Sequence, residues 1–137
     1  MIEKIAIVTD SGSDVDLKSI QDYPIFVVPL QVIYHDKTYF DGVDIQPDEV
    51  YQNLEKEVPK TSLPQADMVL KLLNDLKDNG YTHVLAVLLS SGLSGTFNMF
   101  RLIKDESPLP LELIDTKNIG IASGVSAIQA AKYVQEG

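Results

Sequence analysis

Short apolar runs alternate along this chain with stretches whose apolar positions recur every three or four residues. That is the rhythm of strands and helices taken in turn, and it predicts an α/β fold with an open, mostly parallel sheet flanked by helices in Rossmann-like layers. Residues 5–8 read as a buried first strand that leaves into the polar turn Asp10, Ser11, Gly12, Ser13, Asp14. Asp14 is then suited to cap a short helix over 14–21. Residues 25–28 predict a second strand, and Pro29 after it argues for an edge or a bulge, since proline cannot donate to a central ladder. Segment 32–44 shows no clear period, but its Asp41 and Gly42 are a turn signal. Pro47, Asp48 and Glu49 start a helix with proline at the first position and acids at the positive end of the dipole. Val50, Tyr51 and Leu54 give that helix one apolar side.

Residues 59–64 form a loop between two prolines. After it Val69, Leu72, Leu73 and Leu76 mark one face of an amphipathic helix that Gly80 stops. Residues 84–89 are the strongest central strand. A hydroxyl-rich loop over 90–96 follows, then a helix over 97–104 and a strand over 111–114 ending at Asp115. The last helix, 121–135, is rich in Ala122, Gly124, Ser126, Ala127, Ala130 and Ala131, so it is expected to pack closely. No repeat or low-complexity tract interrupts the chain, and 137 residues suit one domain.

Charge narrows the partners. Eleven basic against twenty acidic residues give a net charge of −9, a field that repels phosphate backbones and anionic surfaces, so no nucleic acid is expected. There is no cysteine, which removes disulfides, thiolate nucleophiles and thiolate metal sites and fits a reducing cytoplasm. The first residues are acidic by Glu3 and cease to be apolar at Thr9, unlike a signal peptide. The longest apolar run, 84–89, is far too short for an integral membrane segment. A soluble, cytoplasmic protein is expected.

The 90–96 loop holds three serines, two glycines and a threonine between a strand and a helix. Ligands in open α/β sheets bind beyond the carboxyl ends of strands, and a helix start offers unpaired N–H groups to an anion. The same residues also describe a plain turn with Ser94 or Thr96 as cap, and both readings stand. Thr61 and Ser62 add two hydroxyls that can face the same crevice or simply cap the next helix. Asp10, at the end of the first strand, reads as a structural brace or as a carboxylate for a cation.

Enzyme signatures are missing. The sequence Gly92, Leu93, Ser94, Gly95, Thr96 has threonine where a nucleophile elbow needs its last glycine. His35 sits in a polar turn and His83 at the start of a strand, the wrong end for a base. Neither a P-loop nor a G-x-G-x-x-G pattern occurs. Asp14, Asp16, Asp41, Asp44, Asp48 and Glu49 lack metal-loop spacing. No catalytic residue, metal site or cofactor is therefore expected.

Several motifs in order resemble the N-terminal half of the bacterial DegV family. They are Thr9-Asp10-Ser11 after the first strand, Pro29-Leu30 after the second, and Asp41-Gly42-Val43-Asp44-Ile45. Lys60-Thr61-Ser62-Leu63-Pro64, Ser90-Ser91-Gly92-Leu93-Ser94-Gly95-Thr96 and Ile114-Asp115-Thr116 complete the series. The resemblance implies that residues 1–137 are a single α/β domain, the N-terminal part of a longer two-domain protein that binds a long-chain fatty acid and is not itself an enzyme. By motif, Thr61 and Ser94 would hold the carboxylate, with Ser62, Ser90 and Ser91 close by. The family's second half supplies a basic residue and a histidine near the carboxylate. The resemblance also implies a role as carrier subunit of fatty acid kinase, presenting the carboxylate to a separate ATP-dependent subunit and keeping the acyl phosphate for phospholipid synthesis. Without the second half, the face near Leu63 and Leu93 is expected to favour a homodimer. Two other classes fit the residues: a small-molecule enzyme gripping a phosphate with the serine-rich loop, and a regulatory ligand-binding module.

Overall fold

The computed structural model describes residues 2–16, 18 and 20–137. Seven strands and four α-helices follow one another along the described chain: β1 (Ile5–Asp10), β2 (Ile25–Val28), β3 (Gln31–Ile33), β4 (Thr38–Phe40), α1 (Pro47–Asn53), β5 (Lys60–Ser62), α2 (Ala66–Asp78), β6 (His83–Leu88), α3 (Thr96–Ile103), β7 (Leu111–Asp115) and α4 (Ile121–Glu136). Four of the strands form a wholly parallel sheet in the order β2-β1-β6-β7.

The two central strands are apolar on both faces because both faces are covered. Ala6, Val8, Ala86 and Leu88 pack on one side with Val69, Leu73 and Leu76 of α2 and Phe100 and Ile103 of α3. Ile7 and Val87, one residue out of step, face the other way, against Ala127 and Ala131 of α4. The two-residue period of the strand thus sorts one apolar run between two helical layers. Strand β2 is an edge, as Pro29 beyond it requires. Helix α2 ends as expected: Gly80 takes φ +88, its N–H donates to Lys77 O, and the next N–H, of Tyr81, reaches back to Leu76 O. Small residues let α4 lie close, for a Cβ on Gly124 would stand 2.5 Å from Ser13 O. No described helix is long and apolar enough to cross a membrane.

Three expectations fail. Segment 30–64 builds a second, antiparallel sheet, β4-β3-β5, so residues 60–62 of the expected loop are an edge strand. Strands of three residues are too short to show a period, and β5 exists only because β3 lies beside it. No described residue of 14–21 is helical; a 3-10 turn occupies Ser11–Ser13 instead, and Asp14 sits in the left-handed region at φ 52. Asp14 therefore closes a turn rather than opening a helix, while Leu17 and Ser19 of that expected helix lie outside the described residues. Of the apolar side expected of α1 only Val50 packs on a core cluster, that of Val32, Tyr34 and Ile45, while Tyr51, and Leu54 just past the helix end, are exposed.

Candidate functional site

Strand order reverses between β1 and β6: the chain moves outward from β1 to β2 on one side and from β6 to β7 on the other. The carboxyl ends of these strands meet the crevice in which open α/β sheets hold ligands. Three polar loops gather there, and hydrogen bonds tie each to the others. Asp10, the last residue of β1, is fully buried, and its Oδ2 accepts the Leu89 N–H at 3.0 Å. Gly120 N–H donates to Gly12 O at 2.8 Å, and Ser90 N–H to Asn118 O at 2.8 Å. Thr116, just after β7, donates its hydroxyl to Leu88 O at 2.8 Å.

Within the 90–96 loop the hydroxyls hold different posts. Ser90 Oγ accepts the Gly92 N–H at 3.2 Å, and its carbonyl receives the N–H groups of Leu93 and Ser94. Ser91 is committed to Asp115, donating its hydroxyl at 2.5 Å to one carboxylate oxygen and its N–H at 3.2 Å to the other. Those bonds, first the Ser91 hydroxyl and then the Lys117 N–H, hold the Asp115 carboxyl below its usual range. Ser94 is the informative one. Its Oγ accepts the Thr96 N–H at 3.2 Å and lies 2.9 Å from Thr96 Oγ1.

Thr96 is fully buried, and Ser94 is the one partner of its hydroxyl among the described residues. A buried hydroxyl proton must find an acceptor, so Thr96 donates to Ser94. Ser94 then has both acceptor positions filled and its own proton free. Thr96 thereby aims the Ser94 hydroxyl, a role that the sequence hides because a threonine at a helix start reads as a cap.

The second expected element comes close. The Gln31 side chain donates to Leu63 O at 2.7 Å, fixing the chain just past β5. A Cβ on Gly95 would lie 3.3 Å from Leu63 Cδ2, so the residue after β5 touches the loop that carries Ser94. Thr61 and Ser62 are exposed, and among the described residues neither hydroxyl makes a hydrogen bond. Being consecutive on a strand they point to opposite faces, which corrects the expectation that both turn to one crevice. His83 opens β6 at the far end of the sheet and bonds its neighbour Thr82, as its position in the sequence suggested.

Two cavities lie elsewhere. One, of about 290 Å³, is lined by Tyr34, Tyr39, Glu49 and Glu57 among others. The other, of about 860 Å³, runs along the edge of β2 past Phe26, Val43 and Tyr51. None of Thr61, Ser62, Ser90, Ser91 and Ser94 lines either one. The hydroxyls instead share the carboxyl edge with exposed apolar side chains, Leu93, Ile119 and Ile121.

Residues 4–137 match a family model described as "Uncharacterised protein, DegV family". A DegV domain-containing protein of Clostridium perfringens is 45% identical over 99% of this chain and 49% of its own length. One from Clostridium acetobutylicum is 42% identical with the same coverage. The chain thus spans about half the length of the curated relatives it matches. Among solved structures, the fatty-acid-binding DegV of Bacillus subtilis superposes with a TM-score of 0.91 at 28% identity, covering 99% of this chain and 49% of that one. A Thermotoga maritima protein described as revealing fatty acid binding function gives 0.88 at 31%, covering 99% and 51%. A stearic-acid-binding protein of Eubacterium ventriosum gives 0.84 at 26%, covering 98% and 48%.

Proposed function

This chain belongs to the DegV family, and from that premise we propose that it is the N-terminal domain of a two-domain protein that binds a long-chain fatty acid. Thr61 and Ser94 hold the carboxylate, with Ser90 and Ser91 beside Ser94, while Ser62 turns to the other face of its strand. The observation that carries this reading is the seat of Ser94 Oγ, 3.2 Å from the N–H and 2.9 Å from the hydroxyl of buried Thr96, which leaves the Ser94 proton for a ligand when Thr96 is the donor. A carboxylate is an acceptor without donors, and a fixed hydroxyl donor suits it. Alternation carried one residue past β5 puts Thr61 on the side of Leu63, which meets Gly95. Thr61 is thus the hydroxyl of that strand that can share an anion with Ser94.

Energetics divide the work. Each buried methylene contributes about 0.8 kcal/mol, so a long acyl chain offers roughly 10 kcal/mol before entropy. A hydrogen bond to a charged group contributes about 1.5–3 kcal/mol. The tail supplies affinity and the hydroxyls fix which end stays at the mouth. Leu93, Ile119 and Ile121 stand exposed beside the hydroxyls, which suits a ligand enclosed between this domain and a second one. The bound carboxylate is then available to a separate ATP-dependent kinase, the protein acting in the cytoplasm as a carrier and not as a catalyst.

Organic extraction of the purified full-length protein, followed by mass spectrometry, tests the reading. A stoichiometric long-chain fatty acid is expected. A phosphorylated metabolite in its place, or no ligand even after incubation with fatty acid, overturns it.

A further inference from the structure

We infer that Asp10 is a positioning residue for the carboxylate-holding loop, and that it sets how strongly the protein prefers a charged head group to an uncharged one. The inference rests on the reading that Ser94 meets the carboxylate. The paired residues of β1 and β6 run from Ile5↔His83 to Thr9↔Val87 and stop there. Beyond that pair β1 turns away into Ser11–Ser13, while the residue just past β6 still presents its N–H, that of Leu89, to the gap. The Asp10 side chain stands in for the main-chain acceptor that β1 no longer offers. The amide it holds belongs to the residue before Ser90, and the Ser90 carbonyl in turn receives the Ser94 N–H at 3.1 Å. Asp10 is therefore one hydrogen bond and one turn away from Ser94.

The surroundings are shaped around this carboxylate rather than merely tolerating it. A Cβ on Gly12 would fall 2.9 Å from both Asp10 Oδ1 and Leu89 Cδ2, so the loop after β1 is pressed onto the pair. Ser13 donates its hydroxyl to Asp10 O at 2.8 Å, and Gly12 O receives the Gly120 N–H from the loop after β7. All three loops at the switch point are thus registered through Asp10 and the two residues packed against it. No cation compensates: among the described residues the ion pairs are Lys71–Asp75 and Lys104–Glu112, and Asp10 Oδ1 makes no hydrogen bond. A buried carboxylate without a counter-ion costs the fold stability. An apolar side chain of that size would spare this cost but would leave the Leu89 N–H unpaired and the turn free to shift.

The measurement is the ratio of affinities for a long-chain fatty acid and for its methyl ester, read by calorimetry on the full-length protein. Asp10→Ala is expected to lower the acid-to-ester ratio about tenfold while ester affinity changes less than about twofold, since only the head-group contact is displaced. Asp10→Asn keeps an oxygen for the Leu89 amide and is expected to restore the ratio to within about threefold of wild type. Should the alanine variant not fold, Asp10→Ser, too short to reach the amide, gives the same readout. Acid and ester affinities falling together would mean a purely structural role and would sink the inference, as would an unchanged ratio. Ser94→Ala run beside these separates the two claims. A ratio lowered by Ser94→Ala and untouched by Asp10→Ala defeats the positioning role alone, whereas a ratio untouched by Ser94→Ala defeats the carboxylate reading itself.

Discussion

On one side of the candidate crevice every serine of the 90–96 loop has a protein partner, and Ser94 is fixed twice by Thr96. On the other side Thr61 and Ser62 stand exposed on an edge strand with no hydrogen bond to either hydroxyl among the described residues. The loop is anchored in the main core, through Leu88 and Phe100, whereas β5 belongs to a three-stranded sheet with a core of Val32, Tyr34 and Ile45. One half of the site is built before any ligand arrives; the other is held only by its backbone. A pre-organised donor loses little entropy on binding, and a free one loses more. The loop is thus suited to fix a head group and the strand to adjust to it.

The comparison concerns only the head-group end, so the largest effect is expected from the tail. If a second domain covers the acyl chain, residues 1–137 alone bury one side of it and forfeit roughly half of the ~10 kcal/mol available. The remainder hardly exceeds the cost of immobilising a flexible ligand. Calorimetry below the micelle threshold is expected to find binding at least about a thousandfold weaker than in the full-length protein. The uncovered face near Leu93, which is 65% exposed, is expected to drive self-association of the isolated domain, seen by sedimentation. Submicromolar one-to-one binding by this domain would show a complete site within it and end the half-site reading.

The next effect bears on the two halves directly. Ser94→Ala and Thr61→Val are each expected to weaken fatty acid binding about tenfold or more, the worth of one hydrogen bond to a charged group. Their stabilities are expected to part. Ser94→Ala strands the buried Thr96 hydroxyl and costs about 1–3 kcal/mol of unfolding free energy, while Thr61→Val leaves denaturation within about 0.5 kcal/mol of wild type. Thr96→Val, which removes the group that aims Ser94, is expected to weaken binding about threefold without touching a ligand contact. Equal stability losses at Ser94 and Thr61 would erase the distinction between a built half and a free one.

The sequence carried the parallel sheet well because each of its strands is an apolar run with a turn signal after it. The Asp10, 90–96 and Asp115 loops fell at one edge for the same reason: parallel strands send all their exits one way. The small sheet was illegible. Gln31 pairs with both Phe40 and Ser62, and a three-residue strand paired across 31 positions leaves no local trace. The expected helix after Asp14 had a good cap, but the Ser13 carbonyl lies against Gly124 of α4, and tertiary contact outweighed the local preference. The candidate hydroxyls were legible as a set and not as individuals. Which of them is free depends on Asp115, 24 residues beyond Ser91, and on the burial of Thr96.

The smallest expected effect is a dependence on pH that belongs to the built half alone. Burial raises the Asp10 pKa above its usual value, more than the Leu89 amide lowers it. The folded state therefore binds that proton more tightly than the unfolded chain, and ionising Asp10 opposes folding. Its effect is absent at a pH below the unfolded value near 3.8 and grows as pH rises through the folded pKa. Asp115 has the opposite sign. Its hydrogen bonds to Ser91 and Lys117 lower the pKa, so its contribution is present above about 3.8 and lost as pH falls through the folded value. Because Asp115 is near the surface, solvent keeps that contribution small. Urea denaturation from pH 7 to pH 3 is expected to show both by difference, which cancels the other carboxylates. Relative to wild type, Asp10→Asn gains most at neutral pH and least in acid, whereas Ser91→Ala loses most at neutral pH and least in acid. Thr61→Val is expected to track wild type throughout, since no titrating group is bonded to it. A pH-independent offset in Asp10→Asn would mean that Asp10 titrates in the fold as it does in the open chain, and the cost assigned to its burial would have to be withdrawn.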